Sequence, residues 1–156
     1  ILVLPEPDIA KETQLVPGID GQKMSKSYNN TIPIFGKEKE IRKKFMSIVT
    51  DMAGIDEPKN KSTPLFNLYC LFANKEEKKR ITNKYDTPGL RYGDVKEELY
   101  EKMMDYFSPY RQKRTLLLSQ PDDVIDILKM GAKKAKVIAS EVLEKIKTAI
   151  GLKYLQ

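Results

Sequence analysis

Between residues 8 and 36 the chain cannot sustain a helix or strand of ordinary length, because Pro17, Gly18, Gly21, Asn29, Asn30, Pro33 and Gly36 interrupt it. An irregular stretch this long in a compact protein is usually functional or disordered. At its centre stands Lys23-Met24-Ser25-Lys26-Ser27, two lysines three apart with two serines among them, and Gly18 and Gly21 lie just upstream. Glycine lets the backbone turn and approach a ligand closely. Lysine brings a compact positive charge on a flexible stem, and serine adds short-range hydrogen bonds. A loop of this kind is suited to gripping a polyphosphate.

The remainder reads as helical. Ile1 to Leu4, stopped by Pro5 and Pro7, has the character of the end of a buried strand, and no other convincing strand follows. From Lys37 to Val49, Ile41, Phe45, Ile48 and Val49 form an apolar face among basic residues. A polar connection follows, and then Thr63 and Pro64 supply an N-cap and a first-turn proline for the apolar run Leu65 to Ala73. Asn74 and Glu77 make a capping-box-like start for a charged helix to about Tyr85. Asp94 can cap a helix bearing Val95, Leu99, Met103, Tyr106 and Phe107, and Ser108-Pro109 either kinks it or restarts it towards Leu118. Asp122 or Asp123 opens a last long helix, ended by Gly151. Its stripe of Val124, Leu128, Gly131, Ala135, Ile138, Val142 and Ile146 reads as core, with Gly131 a point of close packing. The expectation is a mainly α chain: an α-helical bundle at 37–156, preceded at 1–36 by a short strand remnant and the lysine loop.

Composition narrows the chemistry. There is no histidine, so Ser-His-Asp and Cys-His nucleophiles and HExxH zinc sites are excluded, and most zinc sites with them. Cys70, the single cysteine, sits in the apolar run from Leu65 and reads as a small buried hydrophobe in a reducing, cytoplasmic setting. No apolar run is long enough to span a bilayer. With 28 basic against 22 acidic residues the chain carries +6, which favours an anionic partner such as a nucleotide or nucleic acid.

The stretch Gly18 to Ile32 resembles the second signature, KMSKS, of class I aminoacyl-tRNA synthetases, in the form typical of the bacterial-type tryptophanyl enzymes. Lys23 to Ser27 matches it letter for letter. Further matches follow in order: Leu4-Pro5-Glu6-Pro7, Ile48 to Asp51, Gly89, Tyr92-Gly93, Lys96, Gly131-Ala132, Ala135, Ala139 and Ala149 to Leu152. The tyrosyl enzymes share the fold and rank second. A free-standing helical RNA-binding module is the alternative from another class.

The resemblance implies the C-terminal part of a tryptophan–tRNA ligase, with residues 1–36 closing a truncated Rossmann-like catalytic domain and 37–156 forming the anticodon-binding domain. Lys23 and Lys26 would be the catalytic pair on the ATP triphosphate. Met24, Ser25 and Ser27 would also contact ATP, and Leu15 would flank the base. Asp20 would fix the turn and Asn30 would brace the loop. Magnesium would accompany ATP, with no protein-bound metal and no organic cofactor. Arg111, Lys113 and Arg114 would touch backbone phosphates of a tryptophan-specific tRNA, as would Lys129, Lys133, Lys134 and Lys136. Tyr106 and Tyr110 could stack on unpaired bases, although core packing is the expectation for Tyr106. The first signature (HIGH-like) and the tryptophan pocket would lie upstream, so the chain alone would not form the adenylate. The parent would be a cytoplasmic homodimer without membrane contact.

Overall fold

A computed structural model describes residues 1–10 and 15–152. Among the described residues five α-helices follow one another: α1 Glu38–Met46, α2 Pro64–Phe72, α3 Lys75–Asp86, α4 Tyr92–Ser119 and α5 Pro121–Ala149. Among the described residues the β pairing is an isolated antiparallel bridge between Pro17 and Lys23. Ile1 to Leu4 are therefore not a strand; they are irregular and 68–92% exposed. No described neighbour supplies the ladder that a strand needs to satisfy its backbone.

The chain divides into two compact units, one of Ile9–Arg111 and one of Ile1–Asp8 with Gln112–Gln156. The lysine loop thus belongs to the same unit as α1, α2 and α3.

In that unit α1 gives Ile41 and Phe45, with Ile48 just beyond its end; α2 gives Leu65, Leu68 and Tyr69. α3 adds Ile81 and Tyr85, and α4 adds Val95, Leu99 and Met103 to the same core. The spacings of three and four put each set on one helix face, and burying each large side chain contributes roughly 1.5–3 kcal/mol. Phe45 meets Tyr100 edge-on at 5.8 Å, and Phe66 meets Tyr85 at 4.8 Å.

Helix ends follow local chemistry. Thr63 accepts the Phe66 amide at 3.4 Å, with Pro64 in the first turn of α2. Asn74 and Glu77 complete a reciprocal capping box on α3. α1 stops at Met46, short of Val49, which is 54% exposed and not part of the apolar face. Its amide instead donates to Ile19 O at 2.8 Å, so tertiary pairing ends the helix. Tyr106 is 59% exposed and not a core residue, although its ring edge meets Phe72 at 5.7 Å. Asp94 lies inside the first turn of α4 and is not its cap, and α4 continues through Pro109 without restarting.

The connection 50–63 is more ordered than its polar sequence suggested. Asp51 accepts the Tyr92 hydroxyl at 2.6 Å, the Ala53 amide at 3.0 Å and the Asn60 amide at 3.2 Å. Lys59, 5% exposed, donates from Nζ to Ala53 O at 3.2 Å and to Gly54 O. That ammonium lies 5.4 Å from the centre of the Tyr92 ring.

In the other unit α5 begins at Pro121, with Asp122 and Asp123 in its first turn. Gly151, at φ +74°, follows its C-terminal end, where Leu152 N donates to Lys147 O at 2.9 Å. The stripe expected as core is not buried: α5 has no buried residue, and Leu128 and Ile138 are 66% and 67% exposed. Gly131 is no packing point either, since a Cβ placed there would meet nothing within 4 Å. No helix among the described residues is long and apolar enough to cross a membrane.

Candidate functional site

The loop is built on two short backbone pairings. Met24 N donates to Val16 O at 2.9 Å, and Gly18 N to Gln22 O at 2.7 Å, so the chain leaves at Pro17 and returns at Lys23. The reversal between them needs Gly21 at φ +85°, a region that costs other residues strain. Asp20 Oδ1 accepts Gln22 N at 3.0 Å, a side-chain turn typical of Asp. The expectation that Asp20 fixes the turn thus has a geometric counterpart.

After the return, Ser25 is extended and caps a single 3-10 turn, Lys26–Tyr28, by accepting Ser27 N on Oγ at 3.3 Å. Asn29, left-handed at φ +53°, closes that turn by donating from its amide to Lys26 O at 3.2 Å. Lys44 of α1 donates from Nζ to Asn29 O at 3.3 Å, tying the turn to the helical body. Lys23, Lys26 and Ser27 are exposed, whereas Met24 and Ser25 are half-buried. Among the described residues neither loop lysine has an acidic partner, so both cationic heads remain available for an anion.

Asn30 sits beneath the loop, 1% exposed. Its Nδ2 donates to Asp20 Oδ1 at 2.9 Å and to Lys23 O at 3.1 Å, and its Oδ1 accepts Ser25 N at 2.8 Å. Its backbone carbonyl accepts Ile19 N at 3.0 Å. On the inner side Met24 lines an apolar cavity of about 310 Å³ with Val16, Ile32, Phe45, Leu68 and Phe107 among its walls. Leu15, 57% exposed, lines a separate cleft of about 360 Å³ together with Gly21, Asn67, Cys70 and Lys78. Cys70 is therefore half-buried at a cleft wall, and burial raises its thiol above the ordinary range, which disfavours a thiolate nucleophile.

The basic residues proposed for RNA divide. Arg111 is committed within its own unit, donating to Ile34 O at 2.8 Å and Gly36 O at 3.2 Å, with Glu38 at 3.9 Å. Lys113 and Arg114 follow on exposed positions of α4. On α5 Lys129 pairs with Asp126 at 3.4 Å, and Lys133, Lys134 and Lys136 are exposed. Tyr110 is 56% exposed.

Residues 3–108 match the family model of class I tRNA synthetases for tryptophan and tyrosine (W and Y). The chain belongs to this synthetase family. It is 43% identical over 149 residues to the tryptophan–tRNA ligase of Fusobacterium nucleatum, covering 96% of this chain and 46% of that protein. It is 45% identical over 152 residues to that of Rhodopirellula baltica, covering 97% and 48%. The crystal structure of Campylobacter jejuni tryptophanyl-tRNA synthetase complexed with ADP and tryptophan superposes with a TM-score of 0.81 at 40% identity, covering 95% of this chain and 47% of that one. The chain thus spans about half the length of the curated relatives it matches.

What sequence reasoning missed at the synthetase loop is its support. Lys44 and Met24 read as part of a basic helix surface and as an adenine neighbour. Only the backbone turn brings Lys44 to Asn29 and Met24 over the core. The signal the sequence did offer was the identity of Asn29, because asparagine tolerates the left-handed conformation that closes a short turn and is found in it here.

Proposed function

We propose that this chain supplies the pyrophosphate-gripping loop and the tRNA-binding helices of a tryptophan–tRNA ligase. The support is a two-lysine loop whose cations have no acidic partner among the described residues, seated on a buried asparagine, in a chain 43–45% identical to such ligases. In this reading residues 1–36 are the end of the catalytic domain and 37–156 the helical RNA-binding part. The tryptophan carboxylate attacks the α-phosphorus of ATP, and negative charge grows on the β- and γ-oxygens as pyrophosphate departs. Lys23 and Lys26 meet that charge, Lys26 staying on the leaving group. Cations already on the triphosphate that hold it more strongly as this charge develops raise kcat beyond what ground-state binding gives.

Ser25 and Ser27 hold the turn or contact phosphate oxygens, Met24 lies near the adenine through its backbone, and Leu15 flanks the base. Magnesium enters with ATP as part of the substrate. Between Pro17 and Asn30 the one carboxylate, Asp20, accepts hydrogen bonds from Asn30 and Gln22. For tRNA, Lys113 and Arg114 face backbone phosphates and Tyr110 offers a stacking surface, whereas Arg111 anchors Ile34 and Gly36. The parent acts as a homodimer in the cytoplasm.

Two measurements test this. Tryptophan-dependent ATP–pyrophosphate exchange by the chain alone should be at background, and a clear signal would refute the assignment of the remaining catalytic groups to other sequence. Titration with the cognate tRNA should give an affinity that falls with salt, with a slope of about −0.7 to −0.9 per phosphate contact. A salt-independent or undetectable association would sink the RNA-binding part.

A further inference from the structure

The loop's exposed lysines rest on a single carboxamide. Asn30 uses both sides of its amide: Nδ2 serves Asp20 Oδ1 and Lys23 O, and Oδ1 serves Ser25 N. These contacts fall at the turn, on the first lysine and on the residue that caps the turn carrying the second. Gly18 makes the arrangement possible. A Cβ at that position would lie 2.4 Å from both Cγ and Nδ2 of Asn30, far inside contact distance, so the missing side chain is the space that admits the amide. Asn30 is itself buried while Lys23 and Lys26 are exposed, so it shapes the loop without reaching a ligand.

We infer that Asn30 is a positioning residue that holds Lys23 and Ser25 in grip-ready register, with Gly18 as its required gap and Asp20 as its charged anchor. A flexible pair of lysines would lose conformational entropy on every capture of an anion. A loop fixed in advance avoids that loss, which appears as affinity for the phosphate chain. The hydrogen bond to the Asp20 carboxylate is of the charge-assisted, stronger kind. The inference rests on the proposed phosphate-gripping role for its ligand, and on the loop geometry alone for its mechanism.

The whole chain with Asn30→Asp, with the exchanged pair Asp20→Asn/Asn30→Asp, and with Gly18→Ala provides the test. Asn30→Asp sets a second carboxylate against Asp20, and their repulsion draws the side chain at position 30 away from Ser25 N. The exchanged pair restores a donor opposite a carboxylate but leaves the Lys23 O contact unmade and removes the acceptor that Asp20 Oδ1 gave to Gln22 N. Inorganic tripolyphosphate is titrated calorimetrically, the Ser25 amide is followed by hydrogen exchange without ligand, and helix unfolding is followed by circular dichroism.

Asn30→Asp and Gly18→Ala should each weaken tripolyphosphate binding about tenfold or more and expose the Ser25 amide. The exchanged pair should bind tripolyphosphate more tightly than Asn30→Asp and less tightly than the original chain, because it removes the carboxylate clash but not the loss of the Gln22 N and Lys23 O contacts. The helix unfolding midpoint of Gly18→Ala and Asn30→Asp should move little, so that affinity and stability separate. Binding within threefold for Asn30→Asp, or affinity that only tracks the unfolding midpoint, would overturn the inference. If the unsubstituted chain ignores tripolyphosphate, the gripping role fails. The exchange data then decide the positioning alone: a protected Ser25 amide in Asn30→Asp overturns it, and an exposed one supports it.

Discussion

At the scale of single residues, the Asp51 and Tyr92 pair controls the acid side of stability. The Tyr92 hydroxyl hydrogen bond, aided by the Ala53 and Asn60 amides and the Lys59 charge, holds the Asp51 carboxyl below its ordinary range, against a smaller opposing effect of burial. The folded state thus binds that proton less readily than the unfolded chain. The stabilisation is complete above the ordinary carboxylate pKa and is lost as pH falls through the lowered value of the folded state. Tyr92→Phe should raise the Asp51 titration towards the ordinary value and flatten the acid limb of a stability–pH curve. An unchanged limb would show that the hydroxyl is not the controlling partner. Tyr85 makes the opposite case. Its buried hydroxyl meets no partner in good hydrogen-bond geometry among the described residues, and burial, against a smaller lowering effect of nearby Thr63, pushes its pKa up to about 12. Tyr85→Phe removes an unsatisfied polar group while keeping the ring against Phe66, so urea unfolding should show no loss, or a gain of up to about 1 kcal/mol. A loss beyond 1 kcal/mol would reveal a partner for that hydroxyl.

At the scale of elements, what was legible was what local chemistry decides. Thr63 before Pro64, Asn74 with Glu77 and Gly151 each announce a helix end within four residues, and each stands where its cap geometry requires. α1 shows the boundary of that logic. Its apolar face suggested continuation to Val49, but the Val49 amide gains more by pairing with Ile19 O than by another helical turn, and no local signal encodes that contact. The connection 50–63 was opaque for the same reason, because Lys59 and Asp51 find partners only across the folded chain. Pro109 left two outcomes open, and α4 takes the continuous one. The helix therefore carries a residue that donates no backbone hydrogen bond and crowds the preceding turn. Pro109→Ala should stabilise the chain by about 1–3 kcal/mol in thermal unfolding. Equal or lower stability would mean that α4 has already relaxed around the ring.

At the scale of the whole molecule, periodicity reports which face of a helix is apolar and not what covers it. The stripe of α5 repeats with the spacings of the α4 core face, yet Val95, Leu99 and Met103 are buried while Leu128 and Ile138 are more than half exposed. The candidate site divides along the same line. The two lysines and their glycines could be read directly because their chemistry is local. The hold of Asn30 on Asp20, Lys23 and Ser25 spans ten residues and became geometry only through the backbone reversal at Gly21. Exposure of α5 also has a dynamic consequence. Isolated helices draw little stability from propensity, and most helical stability in proteins comes from packing an apolar face. With no buried residue, α5 should open locally far more often than α2 or the Val95–Met103 part of α4. Hydrogen exchange of the chain should therefore proceed much faster in peptides from 121–149 than in peptides from 64–72 and 95–103, with the latter exchanging only on global unfolding. Equal protection in α5 would show that its apolar face is covered in solution.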